Sequence, residues 1–430
     1  MLEIWHEERK VGELSSRERE IVLRYVPEWI SAADAFALSP RLPLSDAEYV
    51  GEEPMVFLSN LLPEGPLLSA LTKLRRLPKD DVFALVSEFG AEVAGAFSIL
   101  PQGKGPVAQG RYEPYTRKSL CADLQAVREN VPLLSRHEDV RLSLAGAQNK
   151  IAVYVFTGAN STKDAVNTGS GVLMLAAGNA ATSHILKPGI QPDRHYPQSV
   201  DNEALSLALA SGCGLPAVRG EILEACGARI LLVERYDREP DDKGRLRRLH
   251  QLDFCQLTGT LPDLKYEEHG GPSLADVFRL IRHYSAVPSR DILTAVDWVI
   301  YNYLVGNADA HAKNLAMMPA GGDKFRMAPW YDILCTNFYP RSTTRMAMKI
   351  GGEDRPDWVR TKNWERFAAE TGINPSLLRK RFPEIGRRML EALPHIASGL
   401  AIDPAGKLAT SLRRTVEKRL RWALRTQPGS

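Results

Sequence analysis

The sequence predicts a two-lobed α+β protein, with a sheet-bearing first part and a mainly α-helical second part. Three observations predict it. The 430 residues exceed the length at which a single hydrophobic core stops growing. Up to about residue 236, short apolar runs rich in β-branched and aromatic residues alternate with Gly, Pro and Asn breakers. Beyond Asp237 the apolar positions recur near every 3.6 residues, the helical period. The expected organisation is a small α/β module over 1–105, a lobe with an antiparallel sheet over 106–236, and a helical lobe over 237–430, with a cleft at the junction of the lobes.

The elements follow in order. Leu2, Ile4 and Val11 flank the polar tip Glu7-Glu8-Arg9-Lys10, a hairpin pattern, and Ile21, Leu23 and Tyr25 repeat the period of two although Val22 blurs it. Asn60-Leu61-Leu62-Pro63-Glu64-Gly65 is turn chemistry, and Leu67, Leu68, Leu71 and Leu74 after it predict a helix. A second helix covers Asp80 to Phe89, and the breakers between Pro101 and Pro106 close the module. Ile151 to Phe156, Val172 to Leu175 and His184 to Lys187 read as strands, with a polar excursion over 157–171. A helix starts at Asp201-Asn202-Glu203 and ends at Gly212 and Gly214; two strands follow between Ile222 and Glu234, about a turn at Cys226-Gly227. Past Asp237 the pattern turns helical. Asp291 to Val305 carries an apolar stripe that stops at Gly306, and further helices are expected over Trp364–Thr371, Pro375–Phe382, Arg387–Ser398 and Leu408–Leu424.

Composition narrows the functional classes. The formal charge of +3 is too small to imply a nucleic-acid partner by itself. Basic clusters at Arg379-Lys380-Arg381, Arg387-Arg388 and from Arg413 to Arg425 are solvated helix faces or a phosphate-binding surface. Five scattered cysteines, none in a C-x-x-C pair, argue against a disulfide framework or a zinc site and fit a reducing compartment. With no basic-then-apolar leader at Met1 and no long uncharged apolar run, the expectation is a cytoplasmic protein with no membrane partner.

The chemistry concentrates in Gly306-Asn-Ala-Asp309-Ala-His311-Ala-Lys313-Asn314 and in Tyr331-Asp332. An Asp, an Asn five positions later and a second Asp beyond a short hairpin form the acid–amide–acid set of phosphoryl transfer. Asp309 is the candidate catalytic base for a substrate hydroxyl. Asn314 and Asp332 are the candidate Mg²⁺ ligands, since Mg²⁺ takes oxygen donors and is satisfied by two of them plus ATP phosphates and water. Turn capping is the other common use of Asp and Asn; the three residues in this order favour the site. Lys187 in an apolar strand is a candidate for the ATP phosphates, its alternative being an edge-strand lysine in water. Glu203, at the start of the next helix, is its candidate ion-pair partner or a helix-start acid favoured by the macrodipole. Glu234, Arg235 and Tyr236 occupy the lobe connection, where backbone groups would meet adenine in a kinase-like enzyme, or form a plain linker. The small-residue run Ala145-Gly146-Ala147-Gln148-Asn149-Lys150 stands where a phosphate-cradling loop belongs. His311 and Lys313 are candidate phosphate contacts, His311 equally a packed loop residue.

Together these pieces resemble the HipA family of serine/threonine kinases, toxins of bacterial toxin–antitoxin pairs. The matching stretches are Ser143 to Lys150, Ile185 to Lys187, Asp201 to Glu203, Val233 to Arg238, Asp309 to Asn314 and Tyr331-Asp332, together with Leu61-Leu-Pro-Glu-Gly65. The likeness covers about residues 1–340. It implies a protein-kinase-like fold, ATP and Mg²⁺, and phosphorylation of a protein substrate, in one branch an aminoacyl-tRNA synthetase, with growth arrest. It also implies a helix-turn-helix antitoxin of the HipB type, in a heterotetramer on operator DNA, and inactivation by autophosphorylation of Ser143. Asn149 departs from the Glu common at its position, removing a charge beside the phosphate loop. Other functions compatible with the residues are a catalytically weak, nucleotide-binding co-repressor and a small-molecule or lipid kinase on the same fold.

Overall fold

The computed structural model describes residues 1–106, 110–133, 145–158, 164–177, 180–192, 194–242 and 244–426. The chain divides into two compact units. The first holds 1–191, 223–252 and 259–263; the second holds 192–222, 253–258 and 264–430.

The first unit carries two sheets. In the five-stranded one the spatial order is Tyr49–Val50, Glu20–Tyr25, Arg9–Arg17, Leu2–His6, Phe97–Pro101. The expected hairpin is present, but its turn is only Glu7-Glu8, and Arg9 and Lys10 lie within the second strand. Charge pairing supports the longer ladder: Lys10 Nζ reaches Glu3 Oε1 on the facing strand at 2.8 Å and Glu13 Oε1 on its own strand at 2.6 Å. The irregular alternation at Val22 has a physical reason too. Ile21, Val22, Leu23 and Tyr25 are all buried, and the helix Glu52–Ser59 packs on that strand. The second predicted helix runs Val82–Phe89, with the Asp81 carboxylate accepting from the Ala84 N–H as its cap.

The six-stranded sheet has the order Gly220–Ala225, Ala228–Glu234, His184–Pro188, Ile151–Phe156, Val172–Ala177, Arg111–Pro114. The Cys226-Gly227 turn has positive φ at both residues (55° and 67°), as a two-residue hairpin connection requires. One expectation is overturned here. Cys121, on the helix Arg117–Arg128, is disulfide-bonded to Cys226, while Cys213, Cys255 and Cys335 are free and buried. Irregular sequence spacing said nothing about a single bridge between residues 105 apart. The cysteine pattern therefore gives no support to a reducing compartment.

After Asp237 the chain is not yet helical. It first makes a second short ladder, Arg238–Pro240 against Leu246–Arg248. The inward residues of these strands are arginines rather than apolar side chains, which hid them from a hydrophobic-period reading.

The second unit is built on the helices Ser199–Gly212, Leu274–Tyr284, Pro288–Val305, Thr361–Thr371, Pro375–Gly399 and Lys407–Thr426. The two helices expected over 375–398 are one continuous helix with Pro383 and Pro394 inside it. Each proline removes one helical N–H and crowds the preceding turn. Buried Leu378, Phe382, Ile385 and Met389 hold one continuous face against neighbouring helices across the first of them. Among the described residues no helix is long and apolar enough to cross a membrane.

Candidate active site

In the second unit the helix Pro288–Val305 leads directly into the segment that carries Asp309 and Asn314. Pro288–Val305 becomes buried all round from Ala295 onward and stops at Gly306, whose φ of 84° places it in the left-handed region. Only glycine suits that position: besides the strain, a Cβ there would lie 2.8 Å from Thr415 Cγ2. The chain then turns through a hydrogen-bonded loop. Asn307 Nδ2 donates to Asn302 Oδ1 at 2.8 Å, and the Asp309 N–H donates to Asn307 Oδ1 at 3.0 Å. Thr336 Oγ1 accepts from the Ala308 N–H at 2.8 Å and donates to the Gly306 carbonyl at 3.0 Å. These buried amide and hydroxyl groups fix the loop backbone.

On this support the Asp309 carboxylate is the open group, its side chain 49% exposed. Tyr266 donates its phenolic O–H to Asp309 Oδ1 at 2.8 Å, and no sequence signal marks this tyrosine. Asn314 is buried, and its Nδ2 donates to the Asp309 carbonyl at 2.9 Å. That bond fixes the amide so that its oxygen is the remaining group, the donor a hard cation takes. Asp332 has a positive φ of 52°, an uncommon conformation for a residue other than glycine. Its neighbour Tyr331 donates through its hydroxyl to the Lys313 carbonyl at 2.7 Å, tying the Asp332 segment to the residue before Asn314. Between the two ligand candidates lies the expected hairpin, Ala316–Gly321 and Lys324–Met327. An amide oxygen and a carboxylate, with no soft sulfur or imidazole set among the described residues, suit Mg²⁺ rather than zinc.

His311 and Lys313 are both buried. Lys313 Nζ sits 2.9 Å from Asp253 Oδ2, so its side chain pairs inside the loop. Asp253 also exchanges hydrogen bonds with Gln256, accepting from its N–H at 2.8 Å and donating its own N–H to Oε1 at 3.0 Å. The Asp-x-x-Gln spacing is a capping-box signal in the sequence, but nothing in it names Lys313 as partner. Burial, with Lys265 and Lys313 as like charges nearby, holds the His311 imidazole well below its ordinary pKa, so it is neutral at pH 7. Glu203 is buried on the helix Ser199–Gly212. Its neighbour Asn202 clasps Cys335, accepting from its N–H at 2.8 Å and donating to its carbonyl at 3.0 Å.

In the first unit, Lys187 lies on an interior strand between Ala228–Glu234 and Ile151–Phe156 and is 5% exposed, not an edge-strand lysine in water. In the loop Ala145 to Lys150, Lys150 Nζ donates to the Ala145 carbonyl at 2.6 Å. Gly146 has φ 114°, and a Cβ there would stand 2.7 Å from Lys150 Nζ. The Gly146 carbonyl accepts from the Glu64 N–H at 3.1 Å, which joins Leu61-Leu-Pro-Glu-Gly65 to this loop. Gln148 Nε2 donates to the Pro188 carbonyl at 3.1 Å, Asn149 Oδ1 accepts from the Leu133 N–H at 3.3 Å, and Ala147 is exposed. Ser143 lies outside the described residues.

At Glu234-Arg235-Tyr236 the side chains have structural partners. Glu234 ends its strand opposite His184 and is exposed, and the Tyr236 hydroxyl bonds Gln251 Oε1. Arg235 is buried in an ion cluster, with Nη1 3.0 Å from Glu92 Oε1 and Nε 2.9 Å from Asp237 Oδ1. Its side chain is thus turned into the core of the first unit.

Comparison with known proteins places this geometry. The HipA N-terminal domain model matches residues 2–100 and the HipA-like C-terminal domain model matches 142–394. The chain belongs to the HipA family of serine/threonine kinases. The kinase candidate Y4mE of Sinorhizobium fredii is 36% identical over 94% of both chains. The serine/threonine-protein kinase toxin HipA of Shewanella oneidensis is 28% identical over 90% of this chain and 87% of its own. A solved complex of HipA with HipB and operator DNA from Shewanella oneidensis MR-1 superposes with a TM-score of 0.81 at 25% identity, covering 99% of this chain and 97% of that one. The α+β, kinase-like architecture is that of this family.

Proposed function

We propose that this HipA-family chain transfers the γ-phosphoryl group of ATP to a serine or threonine hydroxyl of a protein substrate. The observation that carries the reading is the rigid loop that leaves the Asp309 carboxylate half exposed, with Asn314 bonded to its backbone. Asn314 and Asp332 would hold Mg²⁺, which supplies charge neutralisation for the phosphates. This chain's own residues do the rest. Asp309 orients the acceptor hydroxyl and takes its proton, while the hydrogen-bonded loop keeps that carboxylate in place. His311, neutral and buried, packs the loop, and Lys313 holds Asp253. Lys187 and the loop Ala145 to Lys150 are the proposed nucleotide contacts of the first unit, and Glu203 the supporting acid of the second.

The same reading extends to a cytoplasmic toxin that phosphorylates a translation-related protein such as an aminoacyl-tRNA synthetase. A HipB-like helix-turn-helix antitoxin would neutralise it, in a heterotetramer on operator DNA. Autophosphorylation of Ser143 would switch it off, because a dianion beside the ATP phosphates repels them. A Ser143→Asp variant that binds ATP as tightly as the parent would remove that part. The decisive experiment incubates parent and Asp309→Asn chains with labelled ATP and a lysate, identifying modified proteins by mass spectrometry. Labelled protein substrates with the parent alone support the reading; equal labelling by both refutes Asp309 as base, and ATP binding with no transfer by either favours a nucleotide-binding co-repressor.

A further inference from the structure

We infer that Leu61-Leu-Pro-Glu-Gly65 is a positioning element for the nucleotide: by holding the Gly146 carbonyl it turns the Ala147 N–H outward to meet an ATP phosphate. This rests on the kinase reading above. The link is made by the backbone. Pro63 and Gly146 form a parallel β-bridge; Pro63 has no N–H to give, and the Glu64 N–H donates to the Gly146 carbonyl at 3.1 Å. A trans peptide is planar, so its carbonyl and its N–H point to opposite sides. The Gly146 carbonyl and the Ala147 N–H belong to one such peptide. With that carbonyl turned to Glu64, the Ala147 N–H is directed away from the 61–65 segment, at a residue that is itself exposed.

Both sides of this bond are held. Leu61 and Leu62 are buried, and Asn60 Nδ2 donates to the Val56 and Thr260 carbonyls, each at 2.9 Å. Past the bond, the Leu68 N–H donates to the Glu64 carbonyl at 3.3 Å, and Leu67 is buried. On the loop, Lys150 Nζ donates to the Ala145 carbonyl at 2.6 Å, while Gln148 and Asn149 bond the Pro188 carbonyl and the Leu133 N–H. Ala147 is thus flanked by residues committed to protein partners, and its N–H keeps one direction, as a phosphate cradle of backbone donors requires. Gly65 joins Glu64 to the helix Gly65–Arg75. It is exposed, and its φ of 54° lies in the left-handed region. A Cβ there would stand 3.7 Å from the Ala147 Cβ, an ordinary contact, so backbone conformation and not space makes glycine fit.

The test is a series in the full chain, Gly65→Asn, Gly65→Ala and Gly65→Val, in rising order of strain at a positive φ. Calorimetry with Mg²⁺ present gives the affinities for ATP and for adenosine, which has the base and sugar but no phosphates. Gly65→Asn should bind ATP as the parent does. ATP should bind about threefold more weakly to Gly65→Ala and about tenfold more weakly to Gly65→Val, with adenosine unchanged throughout. In transfer to a serine peptide, KM for ATP should follow the same order while kcat at saturating ATP stays within about twofold. Should Gly65→Val lack a cooperative melt, Gly65→Asn and Gly65→Ala decide in the same terms. Three results overturn the inference: ATP affinity constant across the series, ATP and adenosine weakened together, or Gly65→Asn as damaging as Gly65→Ala. A parent chain that binds no ATP refutes the nucleotide reading itself, whereas tight ATP binding by the parent and by every variant removes only the role of the 61–65 segment.

Discussion

Two polar regions of this molecule use similar residues to opposite ends. Around Glu92 in the first unit, three arginines and two carboxylates are buried together. Glu92 Oε1 takes Arg238 Nη2 at 2.8 Å, Arg235 Nη1 at 3.0 Å and Thr182 Oγ1 at 3.0 Å, while Oε2 takes Arg248 Nη2 at 2.7 Å. Asp237 adds the Gly95 N–H at 2.8 Å to its arginines. Around Asp309 in the second unit the loop is as densely bonded, yet one carboxylate remains half in solvent while it accepts the Tyr266 phenol. The difference is between charge fully enclosed by partners, which organises a core, and charge held rigidly but left open, which can take a proton.

Predictions that would break or sharpen this contrast follow from the largest effect to the smallest. Asp309→Asn should lower phosphoryl transfer by 10³-fold or more with little change in melting temperature, checked by radiolabel transfer and thermal unfolding. Glu92→Gln should do the reverse. Its loss removes the carboxylate that three guanidiniums share, although Arg235 and Arg238 keep Asp237, and a destabilisation of about 3–5 kcal/mol is expected in urea titration, with kcat per folded molecule preserved. A Glu92→Gln chain as stable as the parent would show that the cluster contributes nothing to the core. Lys313→Met removes the buried ammonium 2.9 Å from Asp253 Oδ2 and should cost about 3 kcal/mol, while KM for ATP stays within twofold. A large rise in that KM would instead make Lys313 a phosphate contact.

The pH dependence is the gentlest probe. His250 is buried and its pKa is pushed down to about 4 by desolvation, and His311 is likewise held low. A histidine kept neutral by the fold is protonated near 6.5 only when unfolded, so its stability contribution is lost progressively as pH falls from 6.5 towards 4. Burial opposes ionisation of Glu92 and Asp237, but their arginines outweigh it and depress both pKa values, Asp237 to about 2. Their contribution is intact above the ordinary carboxylate range and goes only as pH falls through it towards 2. Urea midpoints should therefore decline in two steps, the first between pH 6.5 and 4 and the second below pH 4. A flat profile down to pH 4 would remove the histidines from the account.

Much of the fold was legible in the residues because period and breakers report it directly. The strand Ile151–Phe156 and the helix ending at Gly306 follow from β-branched content and from an apolar stripe closed by glycine. The helix through Pro383 and the arginine-lined ladder at 238–248 were not legible, because a neighbouring surface or a distant carboxylate overrides the local preference. The candidate site divides in the same way. Its spaced motif, Asp309 to Asn314 with Asp332, was visible since metal and proton chemistry need those residue types.

By itself the sequence determined which carboxylates and amide are proposed for the chemistry and much of the succession of strands and helices around them. Tertiary structure alone decided that Lys187 is interior, that Lys313 answers to Asp253, that Arg235 turns to Glu92 and that Tyr266 caps the base. The physical reason is separation along the chain. Tyr266 is 43 residues from Asp309 and Glu92 is 143 from Arg235, and no local pattern encodes a contact that only the folded backbone creates.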